Sequence, residues 1–463
     1  FSLTPGSFLQ NTGIRTIVIE DGSTGNINAS SFTTGITLTG GDNGDTLIGG
    51  IGDDTIEGGE GDDVLRGNNG NDTITSNGGN DSVTGGAGND IINVIDQDAS
   101  SDDDNGFNVD AGSGDDVVTF SAAFMADEDD DDDADPDIDG DTDDAEDIED
   151  GDIVAGGAGN DVLVLDSGVD LNSDTVTGFE TLRLLGGDDQ VATGAGASEG
   201  RAFDYDVTLA NENIATGTTF TVDATQLRGD VDIDGDSDND ENDSLTLDLS
   251  NLMGNRSVVV NGGGGELDVT GSDGVDVVNV GDGAATLALG GGADRINLSD
   301  GDARDVLTFA ESDTTLTALD RVTGFNIDDT ADSDTDDTDL EIDDDADVID
   351  FDAEIVDDAG DVANGVIVGD LAEAVEAEAS LLAAITLITD VFENSADTED
   401  GAFAFEYRGN TYVAVVDGDD SDSASIDDIV RLDGVTGVNA IANVDTTPDG
   451  MGGIEDDGIV FFG

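Results

Sequence analysis

From Gly40 to Asn93 the chain places one large aliphatic residue in every nine, at Leu47, Ile56, Leu65, Ile74, Val83 and Ile92, with polar residues and glycine between them. A single apolar position flanked by polar ones marks a very short strand buried on one face. Written out, the nonapeptides are GGDNGDTLI, GGIGDDTIE, GGEGDDVLR, GNNGNDTIT, SNGGNDSVT and GGAGNDIIN. Their sixth residue is invariably aspartate: Asp45, Asp54, Asp63, Asp72, Asp81 and Asp90. A fixed short period of this kind predicts a stacked architecture in which two nonapeptides make one turn of a right-handed parallel roll. Loops of repeats n and n+2 then lie over one another. Their carboxylates and loop carbonyls enclose a calcium ion with several oxygens, which across six repeats gives roughly four complete sites.

Weaker copies of the same pattern occur at Ala111 to Thr119, Gly156 to Val164, Gly271 to Asn279 and Leu289 to Asn297, with sixth-position Asp116, Asp161, Asp276 and Asp294. The fold class expected is all-β, a parallel β-roll or β-helix with calcium-binding loops, plus a small α+β C-terminal domain. Residues 1–95 hold an N-terminal strand and the roll, and the run Ile14 to Glu20 is β-prone and suited to capping it. Residues 96–150 form an acidic insertion expected to bind calcium. Residues 151–310 carry short strands with the degenerate repeats, as a β-helix or a sandwich. Residues 311–350 make an acidic connecting segment. The C-terminal part, 351–463, changes character. Asp370 caps a predicted helix from Leu371 to about Phe392, followed by strands at Phe403–Tyr407 and Thr411–Val416 around the turn Arg408-Gly-Asn410.

Charge sharpens the picture. The 463 residues carry a formal charge of −101, with 112 acidic residues against 11 basic ones, all of them arginine, and neither histidine nor cysteine. Self-repulsion at that density opposes a compact state unless cations compensate it. Short carboxylates among glycines offer only oxygen donors, which suits calcium and serves zinc, copper or haem poorly. An evenly solvated acidic surface would account for the charge but not for the spacing. Two further segments, Asp135 to Glu146 and Asp230 to Glu241, fit D-x-D-x-D-G-x5-E. Their predicted ligands are Asp135, Asp137, Asp139, Asp143 and Glu146, and Asp230, Asp232, Asp234, Asp238 and Glu241. Asp417 to Asp428 is a looser loop of the same sort.

Several functions are disfavoured. Without histidine there is neither an H-E-x-x-H zinc motif nor a Ser-His-Asp set, and Gly196-Ala-Ser198-Glu-Gly200 is G-x-S-x-G without a base or a preceding strand. The chain is therefore read as non-enzymatic. A negative surface argues against nucleic acid and anionic membrane, and the longest uncharged apolar stretch, Ala379 to Thr389, is too short to span a bilayer. No membrane insertion is expected.

The tandem nonapeptides resemble the repeats-in-toxin (RTX) family of exported calcium-dependent proteins of Gram-negative bacteria and cyanobacteria. Val176-Thr-Gly-Phe-Glu-Thr-Leu182 looks like a segment of RTX-type surface-layer proteins. The tail, with Tyr412 to Gly418 and Asp427 to Leu432, resembles the small C-terminal domain of related surface proteins. That likeness implies an uncleaved type I secretion signal ending at Ile459 to Gly463. It implies an extracellular or cell-surface protein that self-assembles into a layer or filament, as a homo-oligomer or polymer bridged by calcium. A cell-surface polysaccharide is a possible further partner. The alternative is a monomeric calcium-stabilised adhesin or surface-binding module.

Overall fold

The computed structural model describes residues 2–3, 13–96, 108–122, 153–166, 171, 175–186, 203–229, 242–254, 256–299, 303–309, 319–326, 347–350, 362–363, 366–367, 372, 375–377, 379–392, 401–417, 425–438, 440–445 and 457–462. The chain divides into two compact units, Phe1–Leu227 with Asp232–Asp243, and Arg228–Val231 with Ser244–Gly463.

In the first unit the strands fall alternately into two parallel sheets. One runs through Asn26–Asn28, Thr46–Ile48, Val64–Asn69, Ser82–Ala87, Asn108–Ser113 and Ile153–Ala158. The other runs through Thr16–Val18, Thr37–Thr39, Thr55–Glu57, Thr73–Asn77, Ile91–Asp96, Val117–Ala122, Val162–Asp166 and Thr181–Leu184. Register follows the aliphatic period. Leu47 lies beside Leu65, Val83, Val109 and Val154 in one sheet, and Leu38 beside Ile56, Ile74, Ile92, Val118, Leu163 and Leu182 in the other. Each of these side chains is buried. One aliphatic residue per nine is a thin core, because the ordering entropy of the other eight must be offset elsewhere.

Residues 108–122 lie within the stretch assigned by sequence to an acidic insertion, and they carry a complete coil. Val109 stacks on Val83, and Val118 on Ile92. The chain thus rejoins its register beyond residues 97–107, and again at Ile153–Ala158. Parallel pairing makes this possible, since it requires only that each coil present its strand at the correct place.

In the second unit, 18-residue turns place Val260, Val278 and Ile296 in the core behind Ser257–Asn261, Val277–Asn279 and Arg295–Asn297, and Arg321–Thr323 follows in the same sheet. A facing set, Ser244–Asp248, Glu266–Thr270, Ala285–Ala288, Val306–Thr308 and Val348–Asp350, is likewise parallel. Residues 151–310 are thus coiled strands rather than a sandwich. Both sheets are then extended by the C-terminal segment. Ser425–Asp433 adds in parallel to Arg321–Thr323 and continues antiparallel into Asn410–Asp417 and Gly401–Tyr407. Asp457–Phe462 adds antiparallel to Val348–Asp350, so the tail read by resemblance as part of a secretion signal is a strand of the sheet.

The α+β character of this end is as expected, but its helix is shorter than predicted. Helix α1 spans Leu381–Phe392, and the helical residues 375–377 are separated from it by a bend at Ala379 and Ser380. Ser380 causes the break by capping α1, its Oγ accepting the amide of Ala383 at 3.2 Å. The predicted hairpin is present, with positive φ at Arg408 and Gly409 as a two-residue turn requires. Val375, Ala384, Ile385, Ile388, Phe403, Phe405, Tyr407 and Tyr412 share one cluster, a core with stacked aromatic rings.

Candidate metal-binding columns

Every sixth-position aspartate of the tandem block sits at the point where a loop enters a strand, and all six are 1–3% exposed. They form two columns. Along one edge the amide of Gly25 donates to Asp45 Oδ1, that of Asp45 to Asp63 Oδ1, and that of Asp63 to Asp81 Oδ1, at 2.6, 2.6 and 2.8 Å. Along the other, the amide of Ile36 donates to Asp54, Asp54 to Asp72, Asp72 to Asp90, Asp90 to Asp116, and Asp116 to Asp161, at 2.7–2.8 Å. The last two steps cover 26 and 45 residues instead of 18. Asp116 and Asp161, from degenerate copies, therefore occupy the same column as the regular ones. Each aspartate also uses its own carbonyl in the ladder, as Asp54 does for the amide of Thr73 at 2.9 Å.

The second carboxyl oxygen separates the loops into two kinds. In Asp63, Asp72, Asp90, Asp116 and Asp161, Oδ2 is buried and accepts no hydrogen bond. Elsewhere it is engaged: Asp45 Oδ2 accepts the amide of Gly41 at 3.0 Å, Asp54 Oδ2 that of Gly50, and Asp81 Oδ2 the hydroxyl of Ser76. In the second unit Asp276 Oδ2 accepts both the amide and the hydroxyl of Ser272. An ionised buried oxygen without a donor is costly, and a cation is what removes that cost.

Burial pushes Asp63 and Asp90 up to about 7 and Asp72 to about 6, against backbone hydrogen bonds that pull the other way, and neighbouring aspartates of the column add to the rise. Asp54, Asp116 and Asp161 are raised for the same leading reason. Glycines leave the space in front of these carboxylates. A methyl group on Gly85 would stand 2.6 Å from Asp90 Oδ2 and 2.5 Å from the carbonyl of Ala111 in the next turn. Gly86 and Gly88 take φ of 122° and 130°, which turns the loop so that its backbone follows the edge.

The donor chemistry fits calcium. Among the described residues no three carboxylates converge, so an ion must draw on one or two aspartates of stacked turns and complete its shell from loop carbonyls. No nitrogen or sulfur ligand is available from side chains of histidine or cysteine. We expect Gly85→Ala to cost about 1–3 kcal/mol and to weaken calcium binding, measured by calcium-dependent thermal melting. Gly291→Ala, whose added methyl meets nothing closer than 3.9 Å, should be nearly neutral.

Asp276 and Asp294 continue the same device in the second unit: the amide of Val258 donates to Asp276 Oδ1, and that of Asp276 to Asp294 Oδ1. The structure adds four members that repeat spacing did not reveal. Asp320 receives the amide of Asp294, Asp305 that of Ala285, Asp347 that of Asp305, and Asp243 that of Phe203. Burial raises Asp305 to about 7. Each of the four begins a tripeptide Asp-x-aliphatic at a strand entry: Asp243-Ser-Leu, Asp305-Val-Leu, Asp320-Arg-Val and Asp347-Val-Ile. That shorter signal survives where the glycines do not. Glu180, in the segment Val176 to Leu182, closes the second column by accepting the amide of Asp161 at 2.8 Å. The two loops Asp135 to Glu146 and Asp230 to Glu241 lie outside the described residues, as do Gly196 to Gly200 and most of Asp417 to Asp428.

A family model for the RTX calcium-binding nonapeptide repeat matches the chain in 4 copies, over residues 39–74, 66–93 and 149–171. No curated protein and no solved structure matches. The chain carries RTX nonapeptide repeats, and those repeats bind calcium.

Proposed function

We propose that this is a secreted, non-enzymatic structural protein that assembles with copies of itself into an extracellular layer or filament, calcium both folding its coils and bridging acidic subunits. The observation that carries the reading is the continuation of the aspartate columns beyond the tandem block. Buried aspartates receive the amide of a neighbouring turn in both units, so the distinctive chemistry of the chain serves to hold the chain together. No helix among the described residues is long and apolar enough to cross a membrane. The absence of histidine, cysteine and lysine from the sequence leaves the common catalytic sets without their central members.

A surface-binding module is favoured by one feature. Thr16, Thr37, Thr55 and Thr73 form an outward rank in register across four parallel strands, a flat polar face that a solid or polysaccharide surface would match. Light scattering against calcium concentration separates the two readings. Assembly predicts a rise in particle size above a calcium threshold higher than that for folding. Replacing Asp135, Asp137 and Asp139 with Asn should raise this threshold and leave the β signal unchanged. A protein that stays monomeric at every calcium level would favour the surface-binding module.

A further inference from the structure

In a chain with 11 basic residues among 463, three arginines stand side by side. Arg295 is in register with Arg321 and Arg321 with Arg431, on three adjacent parallel strands of the second unit. Neighbouring strands lie about 4.8 Å apart, so the three side chains leave the sheet within roughly 10 Å of one another. Like charges directly opposite each other are unfavourable in a sheet. Another in-sheet arginine shows the ordinary solution: Arg183 faces Asp223 across the strands and pairs with it at 3.2 Å. Arg321 has an arginine on both sides. Arg431 pairs with Asp433, whereas the side chains of Arg295 and Arg321 make no ion pair or hydrogen bond among the described residues and both residues are exposed.

The column is held in place from beside. Two residues along the same face, Asn279 Nδ2 donates to Asn261 Oδ1 at 2.8 Å, Asn297 Nδ2 to Asn279 Oδ1 at 2.7 Å, and Thr323 Oγ1 to Asn297 Oδ1 at 2.7 Å. This amide ladder fixes the spacing of the strands that carry the arginines. Beyond Arg431 the same face is covered, since Ile429, Tyr412 and Phe405 belong to the cluster under helix α1. The open positive strip thus ends against a packed wall.

We propose that Arg295 and Arg321, beside the Arg431–Asp433 pair, are a docking strip for exposed carboxylates on a second copy of this chain, Asp53 and Asp115 among them; the proposal rests on the assembly reading and names its contact. Charge complementarity selects the occupant, because the chain carries 112 acidic residues against 11 basic ones. An ordered acidic partner is available on the edge of the roll: exposed Asp53, Asn71, Asn89, Asp115 and Asn160 form an outward column in which, from Asn71 on, each amide is bonded to the side-chain oxygen one turn earlier. Its carboxylates, Asp53 and Asp115, stand three turns apart, so each would meet an arginine separately. Guanidinium groups accept carboxylates through paired N–H donors, which gives such a contact register as well as attraction.

The test compares the full-length chain with Arg295→Gln/Arg321→Gln at a calcium concentration that folds both, by sedimentation velocity over a range of protein concentrations. Arg431 is left intact because of its pair with Asp433. Expected is an increase of roughly tenfold or more in the concentration for half-assembly, with unchanged circular dichroism, and the same loss in Asp53→Asn/Asp115→Asn. Should the double variant not fold, Arg295→Gln alone, whose other neighbour is Val277, carries the comparison. Equal assembly of wild type and variant would overturn the proposal while leaving the assembly reading standing. A wild type that is monomeric at every calcium level would overturn both. Retention on calcium-free alginate beads that the substitution abolishes, with assembly unaffected, would assign the strip to an acidic polysaccharide instead.

Discussion

Removing calcium with a chelator at pH 8 and moderate salt is expected to abolish most of the β-sheet circular dichroism, and restoring millimolar calcium to recover it. The columns are the reason. Asp54, Asp72, Asp90, Asp116 and Asp161 succeed one another along one edge with their carboxylates buried, and at pH 8 Asp72 and Asp90, pushed up to about 6 and about 7, are ionised. Unit charges 4 Å apart repel by about 1 kcal/mol in water and several times more near a protein surface. The thin aliphatic core has little with which to oppose this.

The C-terminal cluster should behave differently, since Phe403, Phe405, Tyr407 and Tyr412 pack against helix α1 without any aspartate column. Tyrosine fluorescence therefore divides the response in a chain without tryptophan. Tyr205, buried in the first unit with its hydroxyl donating to Leu185 O at 2.7 Å, should report the loss of calcium, and Tyr407 and Tyr412 should not. A Tyr205→Phe variant identifies the component. Magnesium, which sheds water reluctantly and demands a small octahedral shell, should rescue poorly. Rescue by molar sodium alone would mean that bulk screening, and not a bound ion, holds the coils.

How far the columns extend was only partly legible. The six tandem aspartates and their strands could be read directly, because period and aliphatic position coincide there. Asp243, Asp305, Asp320 and Asp347 could not, because the glycines that mark a repeat are missing and the spacing between successive members reaches 42 residues. A parallel coil tolerates such excursions, so period is lost while register is kept. The arginine strip was hidden for the same reason: Arg295, Arg321 and Arg431 become neighbours only through pairing across unequal intervals. The helix was overextended because its apolar spacing continues through Ser380, and only the cap of that residue on Ala383 decides where α1 begins.

Protons and calcium should substitute for one another in the columns, with opposite consequences for fold and affinity. Without metal, Asp63 and Asp90 titrate at about 7 when folded, against 3.8 for an unperturbed aspartate. Between those limits the folded state holds more protons than the unfolded one, so stability falls as pH rises through this window and is highest, as far as these groups decide it, at its acid end. A chelated sample brought from pH 8 to pH 5, still above the sequence pI of 4.1, should therefore regain β signal. Calcium affinity should fall over the same range, because each proton occupies a ligand. Asn imitates the protonated side chain. Asp72→Asn keeps an oxygen for the amide of Asp54 and removes the buried charge, so the calcium-free fold should strengthen at pH 8 while calcium binding weakens. Asp72→Ala removes that acceptor as well and should be less stable than Asp72→Asn by about 1–3 kcal/mol, the cost of an unsatisfied buried amide. Urea melts of both variants in chelator, followed by calcium titration, measure the two effects separately. If Asp72→Asn proved no more stable than wild type without calcium, the column carboxylates would have to be compensated by something other than the ion.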